Sequence, residues 1–211
     1  MKSDHKNSYV PIAPGAVVRT FTLKAEHPAE PERIPLVLIH GFGAGFLQFY
    51  KNLDHLHSQR KVLAFDMPGF GRSTRVRFTP EAQKAEEEFV DSIERWRRGV
   101  GVEKFILLGH SLGGFLACSY AMSHPSRVRH LILVDPWGLP ASPSEEEFRQ
   151  KYPRWAGILW RIVSNLNPFT PVRAVGPWGP DLVKRMRPDL SRTFGDSFMN
   201  YVYHCNTQKP T

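Results

Sequence analysis

Four short apolar runs, at residues 36–39, 62–65, 105–108 and 131–134, each stop at a loop rich in Gly, Asp or Pro. Four consecutive apolar residues leave no side for water, so each run fits a strand covered on both faces, as in the middle of a parallel sheet. Between the second and third runs, Ala82, Ala85, Phe89, Ile93 and Trp96 recur at three- and four-residue steps, which marks one face of a helix. Residues 115–122 read as another helix, ended by Pro125. Strands alternating with helices build a mostly parallel, doubly wound α/β sheet whose ligand crevice lies beyond the carboxyl ends of the strands. The loops that begin at His40, Asp66, Gly109 and Asp135 all fall at that edge.

Boundaries follow from the same pattern. Residues 1–34 form a lead with one early strand at residues 17–23, and a Pro- and Glu-rich turn over residues 27–35 follows it. Residues 35–136 hold the alternating core. Its first long helix is expected over residues 80–99, with Glu86, Glu87 and Glu88 early and Arg95, Arg97 and Arg98 late, complementing the helix dipole, and Gly99 as the stop. Over residues 137–211 Pro, Trp and Arg become frequent and the alternation ceases, which points to a helical lid. There Trp155, Ile158, Leu159, Ile162, Val163 and Leu166 share one helical face, and further helices are expected near residues 182–187 and 194–203.

The 211 residues suffice for one sizeable core, and 41% hydrophobic with 23% charged residues is ordinary for a globular protein. A formal charge of +8 favours anionic partners without choosing among them. Basic residues are scattered rather than interleaved with aromatics, and no nucleic-acid motif occurs, so nucleic acid is not the expected partner. Cys118 and Cys205 are too few for a disulfide framework, which suggests a reducing, cytoplasmic setting. The opening residues, with no apolar stretch behind them, are not expected to act as a secretion signal, and no apolar run reaches the ~20 residues of a spanning helix, so any membrane attachment is expected to be peripheral.

The chemistry centres on Gly109-His110-Ser111-Leu112-Gly113, which joins a buried strand directly to a helix. In that setting a serine occupies a sharp, strained turn and presents its hydroxyl at the sheet edge, while the glycines keep the turn clear of its neighbours. The other reading is a Gly-rich turn with an incidental serine. If Ser111 is a nucleophile, its attack creates an oxyanion, and the helix beginning at Leu112 aims free N–H groups at that charge. A second donor is expected from His40-Gly41-Phe42-Gly43, with the Phe42 N–H the candidate. A dinucleotide-type Gly loop is the alternative there, but its fingerprint is incomplete.

These stretches resemble an α/β-hydrolase-domain family that contains the N-acyl-phospholipid lysophospholipase and the lipid-droplet co-activator of triglyceride lipase. The resemblance also includes Phe65-Asp66 with Gly69-Phe70-Gly71-Arg72-Ser73, residues 131–138, Gly176-Pro177-Trp178-Gly179-Pro180 and Tyr203-His204-Cys205-Asn206. It implies an α/β-hydrolase fold, lipid metabolism, acyl-lipid or (lyso)phospholipid substrates, lipid-droplet or membrane surfaces, and no metal or organic cofactor. The co-activator branch carries asparagine at the nucleophile position, so Ser111 places this chain with the hydrolytic branch. Family members continue past the lid with strands bearing the catalytic acid, the base histidine and a His-x4-Asp motif. The 211 residues are therefore expected to lack the C-terminal strands and to work poorly alone.

Within the chain, Asp135 at a strand end and His204 downstream preserve the order Ser, Asp, His and are the remaining candidates for acid and base. A turn-forming Asp135 and a surface His204 are the plainer readings. Trp137, Trp155, Trp160 and Trp178 could line an acyl pocket or sit at a membrane interface, and Arg154 and Arg161 flank the amphipathic stretch that starts at Trp155. The reading is a serine hydrolase of acyl-lipids. Acyl transfer to lysophosphatidic acid and non-catalytic lipase co-activation are the alternatives.

Overall fold

Leu36 and Leu38 pack on one face of the sheet while Val37 and Ile39 pack on the other, and none is more than 5% exposed. The computed structural model describes residues 5–138 and 174–208, which divide after Trp137 into two compact units. The first unit carries six strands: β1 (His5–Ala13), β2 (Ala16–Leu23), β3 (Leu36–Ile39), β4 (Val62–Phe65), β5 (Phe105–His110) and β6 (Val128–Val134). Their order in space is β1-β2-β4-β3-β5-β6. β1, β2 and β4 pair antiparallel, and β4, β3, β5 and β6 run parallel.

Both faces are covered. Helices α2 (Ala82–Val100) and α3 (Leu112–Ser123) bury Ile93, Trp96, Leu116, Ala117 and Tyr120 against Val37, Ile39, Leu63 and Phe65. The opposite face takes Phe46 and Phe49 from a 3-10 turn and Leu53 from α1 (Tyr50–Leu56), packed on Phe21, Leu36 and Leu38. This is the doubly wound α/β sheet that the apolar runs implied. Each fully buried Leu, Ile or Phe contributes roughly 1.5–3 kcal/mol. Trp96 stacks 4.2 Å from Phe65 and satisfies its indole N–H on Thr20 Oγ1 at 2.8 Å.

Several local expectations need correction. β1 was not foreseen, because His5-Lys6-Asn7-Ser8-Tyr9 is polar; as an edge strand it needs only one buried side, and Val10 supplies it. α2 does not stop at Gly99. It runs to Val100 and closes on Gly101, whose φ of 70° fits a left-handed cap. Gly99 serves packing instead, since a Cβ there would sit 2.5 Å from Val10 Cγ1. Glu86, Glu87 and Glu88 lie beyond the first turn, which has no acidic residue.

Arg97 likewise does more than answer the dipole. It is 3% exposed, forks onto Glu94 with Nε and Nη2 at 2.8 and 2.9 Å, and donates to the Val102 carbonyl. Tyr120 OH donates to the same carboxylate at 2.8 Å. These hydrogen bonds hold the Glu94 carboxyl well below its usual range, and burial with Glu94 pushes the Tyr120 phenol up.

In the second unit a 3-10 turn (Gly176–Trp178) leads into α4 (Gly179–Met186), α5 (Pro188–Phe194) and α6 (Asp196–Thr207). The expected helices near 182–187 and 194–203 thus occur, separated by Pro188 and Gly195. Tyr203 OH donates to the Gly176 carbonyl at 2.6 Å, and a Cβ on Gly179 would enter the Tyr203 ring. The Gly-Pro-Trp-Gly-Pro and Tyr-His-Cys-Asn stretches are therefore one packed structure. The amphipathic run from Trp155 to Leu166, with Arg154, Trp160 and Arg161, lies outside the described residues. Among the described residues, no helix is long and apolar enough to cross a membrane.

Candidate active site

The sheet order reverses around β3. The chain runs from β3 to β4 on one side and then returns to place β5 on the other. Ile39 pairs with Gly109, so the loops leaving β3 and β5 emerge side by side at the carboxyl edge. Such a reversal opens the crevice where α/β sheets bind ligands.

Ser111 stands between β5 and α3 with φ 53° and ψ −120°, a conformation that L residues avoid. Four backbone hydrogen bonds hold it there. Its N–H donates to the Val134 carbonyl at 3.1 Å, and its carbonyl accepts from Gly114, Phe115 and Trp137 at 2.9, 3.1 and 3.0 Å. The flanking glycines are required by space: a Cβ on Gly109 would collide with the Gly113 backbone, and one on Gly113 with the His40 and Ile39 carbonyls. A Cβ on Gly114 would meet Pro136 at 2.9 Å. Leu112 opens α3, so its N–H has no carbonyl one turn earlier to accept it.

Across from the serine lies the loop after β3. A Cβ on Gly41 would sit 3.2 Å from Ser111 Cβ and 2.8 Å from His110 Nδ1, so this backbone comes as close to the serine as glycine permits. The Gly41 N–H is held by Gln48 Oε1 at 3.0 Å, and Phe42 packs its ring against Phe70 and Trp137. His40 is fully buried, with Nδ1 on the Gly41 carbonyl at 2.8 Å and Nε2 accepting the Met67 N–H at 2.9 Å. A ring nitrogen that accepts cannot also carry a proton, so His40 is neutral, and burial moves its pKa below the ordinary imidazole value.

Asp66 ties the loops together from the end of β4. Its carboxylate accepts the Phe46 N–H at 2.8 Å and the Arg72 N–H at 2.9 Å, with Arg19 at 3.9 Å. A Cβ on Gly71, which has φ 50°, would overlap that carboxylate.

The candidate acid and base fall in different units. Asp135 ends β6 with φ 45° and is exposed; its charge opposes the lowering of the His110 pKa that burial causes. His204 sits exposed on α6 with its ring against Tyr203. His57 is 2% exposed and bonds the Lys24 carbonyl through Nδ1. No group of three or more metal-ligating side chains occurs among the described residues.

The model of the alpha/beta hydrolase fold family matches residues 34–173. The chain belongs to the α/β-hydrolase family. It is 47% identical over 189 residues to the (lyso)-N-acylphosphatidylethanolamine lipase of Homo sapiens, covering 87% of its own length and 55% of that protein. It is 46% identical over 198 residues to 1-acylglycerol-3-phosphate O-acyltransferase ABHD5 of Sus scrofa, covering 92% and 56%. The chain spans about half the length of these curated relatives. Among solved structures, wild-type Cfl2 from Burkholderia cenocepacia superposes with a TM-score of 0.73 at 17% identity, over 97% of this chain and 67% of that one. A putative acyltransferase from Salmonella enterica gives 0.71 at 17% identity, over 97% and 65%. At such identities these two show the fold alone.

Sequence reasoning missed Asp66 and Gln48 as the groups that shape the loop facing Ser111. A carboxylate placed directly after four buried apolar residues was the available signal, because a charge there has to be met by hydrogen bonds. Gln48 gave no signal, since its partner is a backbone N–H that only the folded loop presents.

Proposed function

We propose that this hydrolase cleaves carboxylic esters of acyl-lipids, with (lyso)phospholipids as the substrate class, and that Ser111 is its nucleophile. The observation that carries the reading is the elbow: a serine at φ 53° directly beneath Gly41 of the facing loop. Ser111 Oγ attacks the acyl carbon, and its proton passes to a base. The charge that develops on the carbonyl oxygen is met by the Leu112 and Phe42 N–H groups, in a site where preorganised donors are most effective. Collapse expels the alcohol, and water then releases the fatty acid from the serine.

Neither His40 nor His110 is placed to serve as the base. Both ring nitrogens of His40 are bonded, and Nδ1 of His110 is buried against Gly41 with no partner among the described residues. His204 and Asp135 remain the in-chain candidates for base and acid, beside the histidine and acid that the family carries after its lid. A substrate of this kind would be met at a membrane or lipid-droplet surface, with the cytoplasm as the proposed compartment.

The 46% identity to an acyltransferase favours a second reading, in which lysophosphatidic acid rather than water takes the acyl group. One assay separates the two. The chain is incubated with labelled lysophospholipid, with and without lysophosphatidic acid, and free fatty acid and phosphatidic acid are quantified. Hydrolysis gives fatty acid in both cases, and Ser111→Ala lowers turnover about 10³-fold or more. Undiminished turnover by Ser111→Ala removes the serine from the mechanism. A chain that has no turnover but raises the activity of an added triglyceride lipase, with or without Ser111, is a co-activator instead.

A further inference from the structure

Three lysines line one cleft at the end of the sheet opposite Ser111. Lys6 lies on β1, Lys24 follows β2 and Lys61 precedes β4, and together with Thr22 and Glu32 they line a cleft of about 450 Å³. That volume is within the range of small-ligand sites. Lys6 and Thr22 are register partners, and extending the Leu23–Val62 pair by one residue sets Lys24 opposite Lys61. Like charges directly across a strand pair destabilise it.

The backbone segments that carry Lys24 and Lys61 are tied to their neighbours. The Lys61 carbonyl accepts the Leu36 N–H at 2.9 Å, and the Lys24 carbonyl is held by His57 Nδ1 at 3.2 Å. Glu26 and His27 then donate to the His57 and Ser58 carbonyls at 3.0 and 2.8 Å, fastening the segment after β2 to the one before β4. Three lysines, a glutamate and a threonine thus line one cleft whose backbone walls are fixed to one another. Lysine ammoniums are hydrogen-bond donors without acceptors, and a tetrahedral phosphate accepts several such bonds at once.

We propose that this cleft is a binding site for a phosphate group, separate from the Ser111 site. The phosphate is either a phospholipid headgroup or a free phosphorylated solute. In the first case the cleft holds the protein on an anionic surface, and in the second it binds a soluble ligand. The assignment does not depend on what Ser111 does.

The test uses the whole chain with two probes: inorganic phosphate, followed by NMR shifts of Thr22 and Lys61 amides, and phosphatidylcholine vesicles doped with phosphatidic acid, followed by co-sedimentation. Lys6→Gln/Lys61→Gln is expected to weaken binding by about tenfold or more, from the loss of two charge-assisted contacts. Glu32→Gln should tighten it. Lys104→Gln/Arg129→Gln removes two exposed cations elsewhere and should leave it nearly unchanged, as should Ser111→Ala. Binding of phosphate alone identifies a soluble ligand, and binding of doped vesicles identifies a headgroup; either supports the site. Binding of neither probe overturns it. So does an equal loss in both double variants, because general positive charge then explains the attraction.

Discussion

Replacing Ser111 by glycine should stabilise the fold while abolishing catalysis. At φ 53° and ψ −120° the serine occupies backbone space suited to glycine, at a cost of about 1–3 kcal/mol. The four hydrogen bonds on its N–H and carbonyl contribute about 0.5–1.5 kcal/mol each, so together they outweigh the strain and the elbow persists. Glycine removes the strain and keeps all four bonds. It also enlarges the unfolded ensemble, costing about 0.4–1 kcal/mol, which leaves a net gain of roughly 1–2 kcal/mol. Ser111→Ala is the control, because it loses the hydroxyl and retains the strained Cβ. Urea unfolding followed by fluorescence of buried Trp96 should place the Gly variant's midpoint roughly 0.5–1 M above the Ala variant's, both being inactive. A Gly midpoint equal to or below that of Ala would refute the argument that the elbow stores strain.

Gly113→Ala should cost about 3 kcal/mol or more and yield little soluble protein, since its methyl meets backbone carbonyls that have no rotamer to escape into; a normal urea midpoint would contradict this. Asp66→Ala strands the Phe46 and Arg72 N–H groups, at about 1–3 kcal/mol each, and should lower both stability and turnover. The two losses are read from a denaturation curve and an ester assay, and a variant impaired in neither would remove Asp66 from the support of the loop. Because His40 is buried neutral, the unfolded chain takes up a proton before the native one as pH falls below about 6.5, so stability should decline through that window. A His40 ring resonance that titrates at the ordinary imidazole value would disprove it. Glu94, held low by Arg97, Tyr120 and Arg98, contributes stability above the unfolded carboxyl pKa of about 4.3 and loses it as pH falls further. Glu94→Gln should lower stability at neutral pH and flatten that acid limb in pH-dependent melts.

The family and the outline of the sheet were legible in the amino-acid order because both rest on local pattern. Four uninterrupted apolar residues specify a strand buried on both faces wherever they occur, and a Gly-x-Ser-x-Gly between such a strand and a helix specifies a tight turn. Composition and spacing led to Ser111 without reference to any other part of the chain. The errors lay where a local signal had a tertiary cause. Gly99 looked like a helix stop, yet it is a point of contact with Val10 on a strand almost ninety residues earlier in the sequence. Arg97 looked like an answer to the helix dipole, whereas burial made it an ion-pair partner of Glu94 and a donor to Val102. β1 looked like a polar lead, and only pairing with β2 makes it a strand.

By itself, then, the sequence determined the α/β alternation, the position of the elbow and the residue that stands in it. Only the tertiary structure decided that Gly41 abuts Ser111, that Asp66 and Gln48 fix the facing loop, and that Lys6, Lys24 and Lys61 share a cleft. The physical reason is the range of the forces involved. Helical and strand periodicity is written into residues a few positions apart, while the close approach of two loops depends on the order of strands in the sheet. That order is settled when the hydrophobic faces of all the elements are buried together.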